Sequence, residues 1–187
     1  MQSKLDIGPD WTLFLDRDGT INKRTEGYVK SWDEFSFIEG VPKAIAECSD
    51  IFGRLIIVTN QQGIGKELMT HEDLEDIHSK MIDVIEYFGG RIDNIYYEPS
   101  LAVYEAFGRK PNPGMAHTAK KDFPDIDFKK SIMVGDTLSD MQFGKAVGMK
   151  TVWLRNEWEI KNYLSIEEFA DYEISHLSEL AHKIKKL

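Results

Sequence analysis

The sequence contains a single cysteine, Cys48, and no apolar run long enough to cross a membrane. One cysteine excludes an intrachain disulfide, so the composition favours a reducing compartment, and we expect a cytoplasmic protein. The first residues, MQSKLDIGPDW, lack the charged and then apolar order of a signal peptide. A transmembrane helix needs about 20 consecutive apolar residues. We therefore expect no association with a membrane.

Positive charge is also scarce. The chain carries 23 Lys and Arg residues against 32 Asp and Glu residues, which gives a formal net charge of −9 at pH 7. Basic residues form short clusters, such as KIKK near the C-terminus, and no long tract. An acidic surface repels the phosphate backbone of nucleic acids. The charge balance therefore disfavours a nucleic-acid partner.

No repeat, low-complexity segment or Gly/Ser-rich linker divides the chain, so we expect residues 1–187 to form one domain, and we expect a monomer. Short apolar runs alternate with helical patterns. The runs predict strands at residues 11–15, 55–58, 92–97, 131–134 and 151–154, with an edge strand at 172–174. The helical patterns cover residues 41–52, 70–88, a segment after Asn112-Pro113, 138–147 and 177–187. This alternation predicts an α/β fold, a Rossmann-like three-layer sandwich with a parallel central sheet.

Polar residues follow the predicted strands. They are Asp16 and Asp18 after the first strand, Thr59 and Asn60 after the second, Asp136 and Asp140 after the fourth, and Arg109 and Lys110 before the third helix. The carboxyl ends of parallel strands meet at one edge of a sheet, so these side chains should converge. Crowded carboxylates repel one another unless a cation lies between them, and hard oxygen ligands suit Mg²⁺. The cations and the hydroxyl suit a phosphoryl group.

The motifs FLDRDGT, IIVTN, RKPNPGM and VGDTLSDM resemble, in order and across nearly the whole chain, the four motifs of the haloacid dehalogenase superfamily. FLDRDGTIN, GYV, VTNQ, the YY pair and DMQ are similar to its capless branch of heptose bisphosphate and histidinol-phosphate phosphatases. The resemblance implies a haloacid dehalogenase-type fold without a cap domain. The short spacing between Asp18 and the first helix agrees with this.

The resemblance implies a phosphate monoester hydrolase. Asp16 would be the nucleophile that becomes an aspartyl phosphate, and Asp18 would protonate the leaving group and then deprotonate water. Mg²⁺ would be held by Asp16, the backbone carbonyl of Asp18 and Asp136, with Asp140 supporting it from behind these ligands or through water.

The same resemblance implies the substrate contacts. Thr59 and Lys110 would hold the phosphoryl oxygens. The further contacts would come from Arg24, Gly27, Tyr28, Asn60, Gln61, Gln62 and Arg109. Arg24, Lys66 and Arg109 are candidates for binding a second anionic group.

One segment departs from that branch. Its phosphatases carry a zinc loop just before the RKP motif, with a Cys-x-His pair and then a Cys-x-Cys pair. The matching positions here are Glu98, Ser100, Ala106 and Gly108, so all four zinc ligands are missing. We therefore expect no zinc, and we expect the apolar segment PSLAVYEAF to pack over the site instead.

Three functions remain to be distinguished. The first is hydrolysis of a small phosphorylated metabolite, such as a heptose bisphosphate or histidinol phosphate. The second is a nucleic-acid 3′-phosphatase, because polynucleotide 3′-phosphatases share the core and lack the zinc loop. The third is a non-catalytic phosphate-binding module. The net charge disfavours the second, and the intact aspartates and Lys110 disfavour the third.

Overall fold

A computed structural model describes residues 7–155 and 163–184. The strands are β1 Thr12–Leu15, β2 Arg54–Asn60, β3 Asn94–Glu98, β4 Ser131–Gly135, β5 Lys150–Leu154 and β6 Tyr172–Ile174. The helices are α1 Val41–Ser49, α2 Gln62–Gly65, α3 His71–Tyr87, α4 Gly114–Asp122, α5 Leu138–Val147, α6 Tyr163–Phe169 and α7 Ser178–Ile184. The six strands among these described residues are all parallel, in the order β3-β2-β1-β4-β5-β6. The predicted fold class is confirmed.

The sheet is buried on both faces, and β1 shows how. Leu13 and Leu15 pack into a cluster with apolar side chains of α1, α3 and α7. Phe14, which points the opposite way, packs with side chains of α4 and α5. Because successive side chains of a strand alternate between faces, a strand covered on both sides must be apolar throughout. This is why the sequence reads as short uninterrupted apolar runs.

The longest helix, α3, begins at a capping box. Thr70 Oγ1 accepts from the amide of Asp73 at 3.1 Å, and Asp73 Oδ2 accepts from the amide of Thr70 at 2.8 Å. These bonds satisfy two of the amide donors that a helix start leaves open. One face of α3 is apolar: Leu74, Ile77, Met81 and Ile85 are buried, whereas Val84 is half-buried and Phe88, just after the helix, is 51% exposed. No helix among the described residues has the length and apolar character needed to span a membrane.

The connection from β1 to α1, residues 16–40, lies beside the carboxyl end of the sheet. It contains a 3-10 turn at Trp32–Glu34 and two isolated bridges that join Asn22 to Asp18 and to Phe37. The Trp32 ring stacks on Phe35 with centroids 5.0 Å apart, and Phe35 meets Phe37 edge-on. These aromatic contacts hold the connection against the core.

Candidate active site

A cavity of about 240 Å³ lies beyond the carboxyl ends of β1, β2 and β4. Parallel register brings these ends together, because Leu15 pairs with Ile57 on one side and with Val134 on the other. Twelve of the fourteen predicted site residues line the cavity: Asp16, Asp18, Arg24, Gly27, Tyr28, Thr59, Asn60, Gln61, Gln62, Arg109, Lys110 and Asp140. Asp136 is fully buried beside them, and Lys66 is exposed and does not line the cavity.

Lys110 links the two sides of the site. Its Nζ lies 2.6 Å from Asp16 Oδ1 and 2.6 Å from Asp140 Oδ1, and it donates to the carbonyl of Val58 at 2.7 Å. Burial lowers the pKa of Lys110, but the Asp140 and Asp16 carboxylates outweigh that effect and leave the pKa raised. The ammonium is therefore charged. Asn60 fixes the backbone of Lys110 by accepting from its amide and donating to its carbonyl, both at 3.0 Å.

Three buried carboxylates form a potential cation site. Asp16, Asp136 and Asp140 each offer an oxygen within 4.8 Å of the others. Burial raises the pKa of Asp16 to about 7 and the pKa of Asp136 to about 6, despite the lowering effects of Lys110 and of Arg24 respectively. Burial disfavours the charged form of a carboxylate, and a bound divalent cation stabilises that charged form. The oxygen donors suit Mg²⁺.

Arg24 contacts this carboxylate cluster. Its Nε lies 2.7 Å from Asp136 Oδ2, and its NH2 donates to Asp136 Oδ1 at 2.9 Å. The turn at Gly19 permits this approach: its φ is +94°, and a Cβ there would lie 2.1 Å from Asp136 Oδ2 and 2.7 Å from Arg24 Nε. Only glycine fits such a position. Sequence reasoning assigned Arg24 to substrate alone and did not anticipate this ion pair.

The Asp18 carboxylate is surrounded by donors. Arg17 NH2 lies 2.9 Å from both oxygens, Asn22 Nδ2 donates at 2.9 Å and Gln61 Nε2 donates at 2.8 Å. Burial raises the pKa of Asp18, but the Arg17 charge and these hydrogen bonds outweigh it and leave the pKa lowered. Gln61 Nε2 also lies 2.8 Å from Thr59 Oγ1. Asp18 is therefore ionised in this arrangement, with its orientation fixed.

Asp140 is oriented by the start of α5. Its Oδ2 accepts from the amide of Thr137 at 3.0 Å and from the Thr137 hydroxyl at 2.6 Å, as in a capping box. Thr137 and Ser139 line the cavity, as do Thr25 and Val29, and none of these four was predicted. The T-x-x-D spacing before α5 is the signal that could have identified Thr137.

The outer part of the cavity carries the other predicted substrate contacts. Gly27 and Tyr28 come from the connection between β1 and α1, Gln62 from α2 and Arg109 from the segment before α4. Arg109 is half-buried, and its NH1 donates to the carbonyl of Ser100 at 3.2 Å. This bond ties the predicted anion-binding arginine to the segment that follows β3.

That segment does not pack as expected. Val103, Tyr104 and Phe107 are 77%, 71% and 64% exposed, so the prediction that PSLAVYEAF covers the site with apolar side chains is wrong for these residues. Hydrogen bonds from neighbouring side chains to its backbone hold it. Asn112 Nδ2 donates to two of its carbonyls, at 3.0 and 3.1 Å. Polar contacts to main-chain atoms leave the apolar side chains free to face solvent.

The fold and the site together define a class of protein. A carboxylate at the end of the central strand pairs with a buried lysine, and a second carboxylate follows two residues later. Acidic side chains after β4 complete the arrangement, on a parallel sheet flanked by helices. This is a phosphatase of the haloacid dehalogenase superfamily.

Comparison with known proteins gives the family. A sequence model described as polynucleotide kinase 3 phosphatase matches residues 12–168. The chain is 38% identical over 182 residues to D-glycero-beta-D-manno-heptose-1,7-bisphosphate 7-phosphatase of Escherichia coli, and the alignment covers 93% of each chain. It is 34% identical over 154 residues to the D-glycero-D-manno-heptose-1,7-bisphosphate 7-phosphatase of Chlorobaculum tepidum, covering 76% of this chain and 77% of that one. The chain belongs to the polynucleotide kinase 3 phosphatase family.

A solved structure agrees with this assignment. The D,D-heptose 1,7-bisphosphate phosphatase of B. bronchiseptica, crystallised with magnesium and phosphate, superimposes with a TM-score of 0.84 at 27% identity. The match covers 94% of this chain and 98% of that one. The expected fold type and the expected class of enzyme are confirmed.

Proposed function

We propose that the protein hydrolyses a small phosphorylated sugar, with a heptose 1,7-bisphosphate as the leading candidate, through a phosphorylated Asp16. The observation that carries this proposal is the contact of Lys110 Nζ with Asp16 Oδ1 at 2.6 Å, in a polar cavity beside an acidic cluster. Relatives at 34–39% identity are named as heptose bisphosphate phosphatases, which supports the substrate class. Histidinol phosphate is the second candidate metabolite.

In the first step, an Asp16 oxygen attacks phosphorus in line with the leaving oxygen. The P–O bond to the sugar breaks, its electron pair stays on the sugar oxygen, and that oxygen takes a proton from Asp18. Because Asp18 is ionised before the reaction, it receives this proton from the bound ester, whose second pKa is about 6. The products are an acyl phosphate on Asp16 and a free alcohol.

In the second step, water attacks the phosphorus of the acyl phosphate. Asp18 accepts a proton from this water, the acyl–phosphate bond breaks, and inorganic phosphate leaves a free Asp16 carboxylate. Asp18 then releases that proton to solvent and is ionised again. Thr59 and Lys110 hold the phosphoryl oxygens in both steps. The lysine charge also offsets the repulsion between Asp16 and the substrate anion.

The residues present fit Mg²⁺, because three buried carboxylates supply hard oxygen donors. Asp16, the backbone carbonyl of Asp18 and Asp136 would hold the ion, and Asp140 would support it. When bound, Mg²⁺ neutralises charge on the transferring phosphoryl group. We propose that zinc is not required; a stoichiometric zinc signal in elemental analysis of protein prepared without added metal would contradict this.

Selectivity for the substrate would come from the rim of the cavity. Arg24 and Arg109 are proposed to bind a second anionic group. Gly27, Tyr28, Asn60, Gln61 and Gln62 are proposed to contact the remainder of the substrate. We propose that residues 1–187 form one catalytic domain, which acts as a monomer in the cytoplasm, in carbohydrate metabolism.

A nucleic-acid 3′-phosphatase is the second candidate function, because the matching family carries that description. The net charge of −9 opposes it, since a nucleic-acid track requires several phosphate-binding cations beyond the reacting phosphate. Arg17, beside the cavity, is buried and already paired with Asp18, so it is not available to a nucleic-acid phosphate. The metabolite is therefore the better-supported substrate.

The two functions are separated by a direct comparison of substrates. Heptose 1,7-bisphosphate, histidinol phosphate and a 3′-phosphorylated oligonucleotide are assayed at equal, physiological salt with Mg²⁺. We expect a higher kcat/KM on a phosphorylated metabolite, and activity should vanish in excess chelator. A clear preference for the oligonucleotide would overturn the metabolite proposal.

A further inference from the structure

In the sequence, Arg17 lies between Asp16 and Asp18, the two proposed catalytic aspartates. Its side chain does not line the cavity. Arg17 is 0% exposed. One terminal nitrogen, NH2, lies 2.9 Å from both oxygens of Asp18. The other, NH1, lies 3.2 Å from Nε2 of His78, which is 61 residues away on α3. The three side chains form a chain of contacts from the helix to the cavity.

The direction of each hydrogen bond follows from the chemistry of the groups. An arginine side chain can only donate, so Nε2 of His78 must be the unprotonated acceptor. Burial lowers the pKa of His78, and the neighbouring charge of Arg17 lowers it further, to about 3. The ring is therefore neutral. Arg17 is thus held at one end by a neutral acceptor and at the other by a carboxylate.

His78 itself is rigidly placed. It is 7% exposed and lies on the same side of α3 as Leu74, Ile77 and Met81, all of which are fully buried. Its ring meets the ring of Tyr97 on β3 edge-on, with centroids 6.2 Å apart. A helix of 17 residues that is capped and packed along one face gives this imidazole little freedom.

We propose that His78 is a positioning residue for the proton transfers at Asp18, acting through Arg17 without touching the substrate. The inference rests on the proposed function, in which Asp18 gives a proton to the leaving oxygen. A guanidinium on a long side chain needs contacts at both ends to keep one orientation. Without His78, Arg17 NH1 loses its acceptor, and a small shift of the guanidinium displaces the Asp18 carboxylate from its position at the leaving oxygen.

The size of the effect is bounded by the neighbours of Asp18. Asn22 and Gln61 also donate to this carboxylate, so the loss of His78 misplaces the acid without releasing it. General acid–base catalysis contributes about 10²–10⁴ in rate, and small displacements of a catalytic group forfeit part of that. We expect a fall on the order of tenfold in kcat/KM.

Two substrates separate a positioning role from a structural one. The leaving group of heptose 1,7-bisphosphate is a sugar alkoxide, which needs a proton. The leaving group of p-nitrophenyl phosphate is the stabilised p-nitrophenolate, which needs little help. Because kcat/KM reports the steps up to departure of the leaving group, it isolates the first proton transfer. Misplacement of Asp18 therefore affects the first substrate far more than the second.

The variants are His78→Leu, which removes the acceptor, and His78→Gln, whose side-chain carbonyl can still accept from Arg17. We expect the leucine variant to lose on the order of tenfold on the heptose substrate and less than about threefold on p-nitrophenyl phosphate. The glutamine variant should regain most of the loss. His71→Leu is the matched control, since His71 is exposed on the same helix.

Equal losses on both substrates, or a glutamine variant no better than leucine, would overturn the inference. If His78→Leu fails to fold, His78→Ala replaces it, and added imidazole should restore activity on the heptose substrate selectively; no such rescue would again overturn it. If Asp16→Asn abolishes turnover but the His78 variants lose activity equally on both substrates, only this inference is rejected. Wild-type turnover that survives Asp16→Asn rejects the proposed function itself.

Discussion

Arg24 and Asp136 form a two-point ion pair at the candidate metal site, with Nε 2.7 Å from Oδ2 and NH2 2.9 Å from Oδ1. The Asp136 side chain is fully buried, whereas that of Arg24 is 33% exposed, so the arginine approaches from the cavity side. Asp136 is a proposed ligand of Mg²⁺, and Arg24 is a proposed contact for the substrate. Binding of the metal and release of the arginine should therefore be linked.

Removal of the arginine is expected to tighten Mg²⁺ binding. In Arg24→Ala, the ion no longer competes with a guanidinium for Asp136, and the gain should be on the order of tenfold, since a hydrogen bond to a charged group contributes about 1.5–3 kcal/mol. Titration calorimetry of Mg²⁺ without substrate measures this. Arg54→Ala is the control, because Arg54 pairs with Asp125 on the surface. Unchanged or weaker binding in Arg24→Ala would show that the two cations do not compete.

Lys110 should be essential for stability as well as for activity. In Lys110→Met, Asp16 and Asp140 lose the buried cation that lies 2.6 Å from each of them. Breaking a buried ion pair from one side costs about 3–5 kcal/mol. Urea unfolding at pH 7 measures the loss, and Mg²⁺ should restore part of it. Lys130→Met is the control: Lys130 pairs with Asp10 at an exposed site, where solvent screens the pair and little change in stability is expected.

The pH dependence of stability has a definite sign. Burial raises the pKa values of Asp16 and Asp136 to about 7 and about 6, from an ordinary value of 3.8. The folded state therefore binds protons at these two groups more tightly than the unfolded state does. The stability that this protonation contributes to the fold is fully present below pH 3.8 and is lost as pH rises through 6 to 7. In Asp136→Asn, the fall in unfolding free energy across this window, measured in chelator, should be smaller than in wild type. An equal or steeper fall would contradict the assignment.

The same two groups link Mg²⁺ binding to pH. Metal ligands must be deprotonated, so affinity for Mg²⁺ should increase as pH rises through 6 to 7 and level off above that range. Calorimetry in buffers of different ionisation enthalpy should detect proton release at pH 6 and little at pH 8. Affinity that falls with rising pH would exclude these carboxylates as the ligands.

Arg109→Ala should raise KM more than it lowers kcat. The guanidinium lines the cavity and is anchored to the Ser100 carbonyl, so it can bind an anionic group equally well before and during reaction. Interactions of equal strength in the ground and transition states change KM and leave kcat nearly constant. Steady-state kinetics on heptose 1,7-bisphosphate test this. A fall confined to kcat would place Arg109 in the chemical step instead.

Sequence reasoning predicted the sheet well, because a parallel strand buried on both faces must be apolar throughout. Even the edge strand β6 has the predicted bounds, Tyr172–Ile174. The ends of elements were less accurate: α1 ends at Ser49, and β3 begins at Asn94. The short helix α2, Gln62–Gly65, was missed, since four residues give no periodic pattern.

Residues that line the cavity were predicted where they follow strands in recognisable order, whereas contacts between residues distant in sequence were missed. Arg17 lies between two predicted catalytic aspartates, yet its contact with His78 spans 61 residues and leaves no local pattern. The sequence alone indicates an ordinary surface or core histidine at position 78. The ion pair of Arg24 with Asp136 spans 112 residues and was missed for the same reason.

The most direct measurement captures the phosphorylated enzyme. The reaction with heptose 1,7-bisphosphate and Mg²⁺ is quenched in acid during the first turnover and reduced with borohydride, which converts an aspartyl phosphate to homoserine. Mass spectrometry should find homoserine at position 16 in the wild type, and none in Asp16→Asn, which should fold but not turn over. Homoserine at another aspartate, or turnover by Asp16→Asn, would contradict Asp16 as the nucleophile.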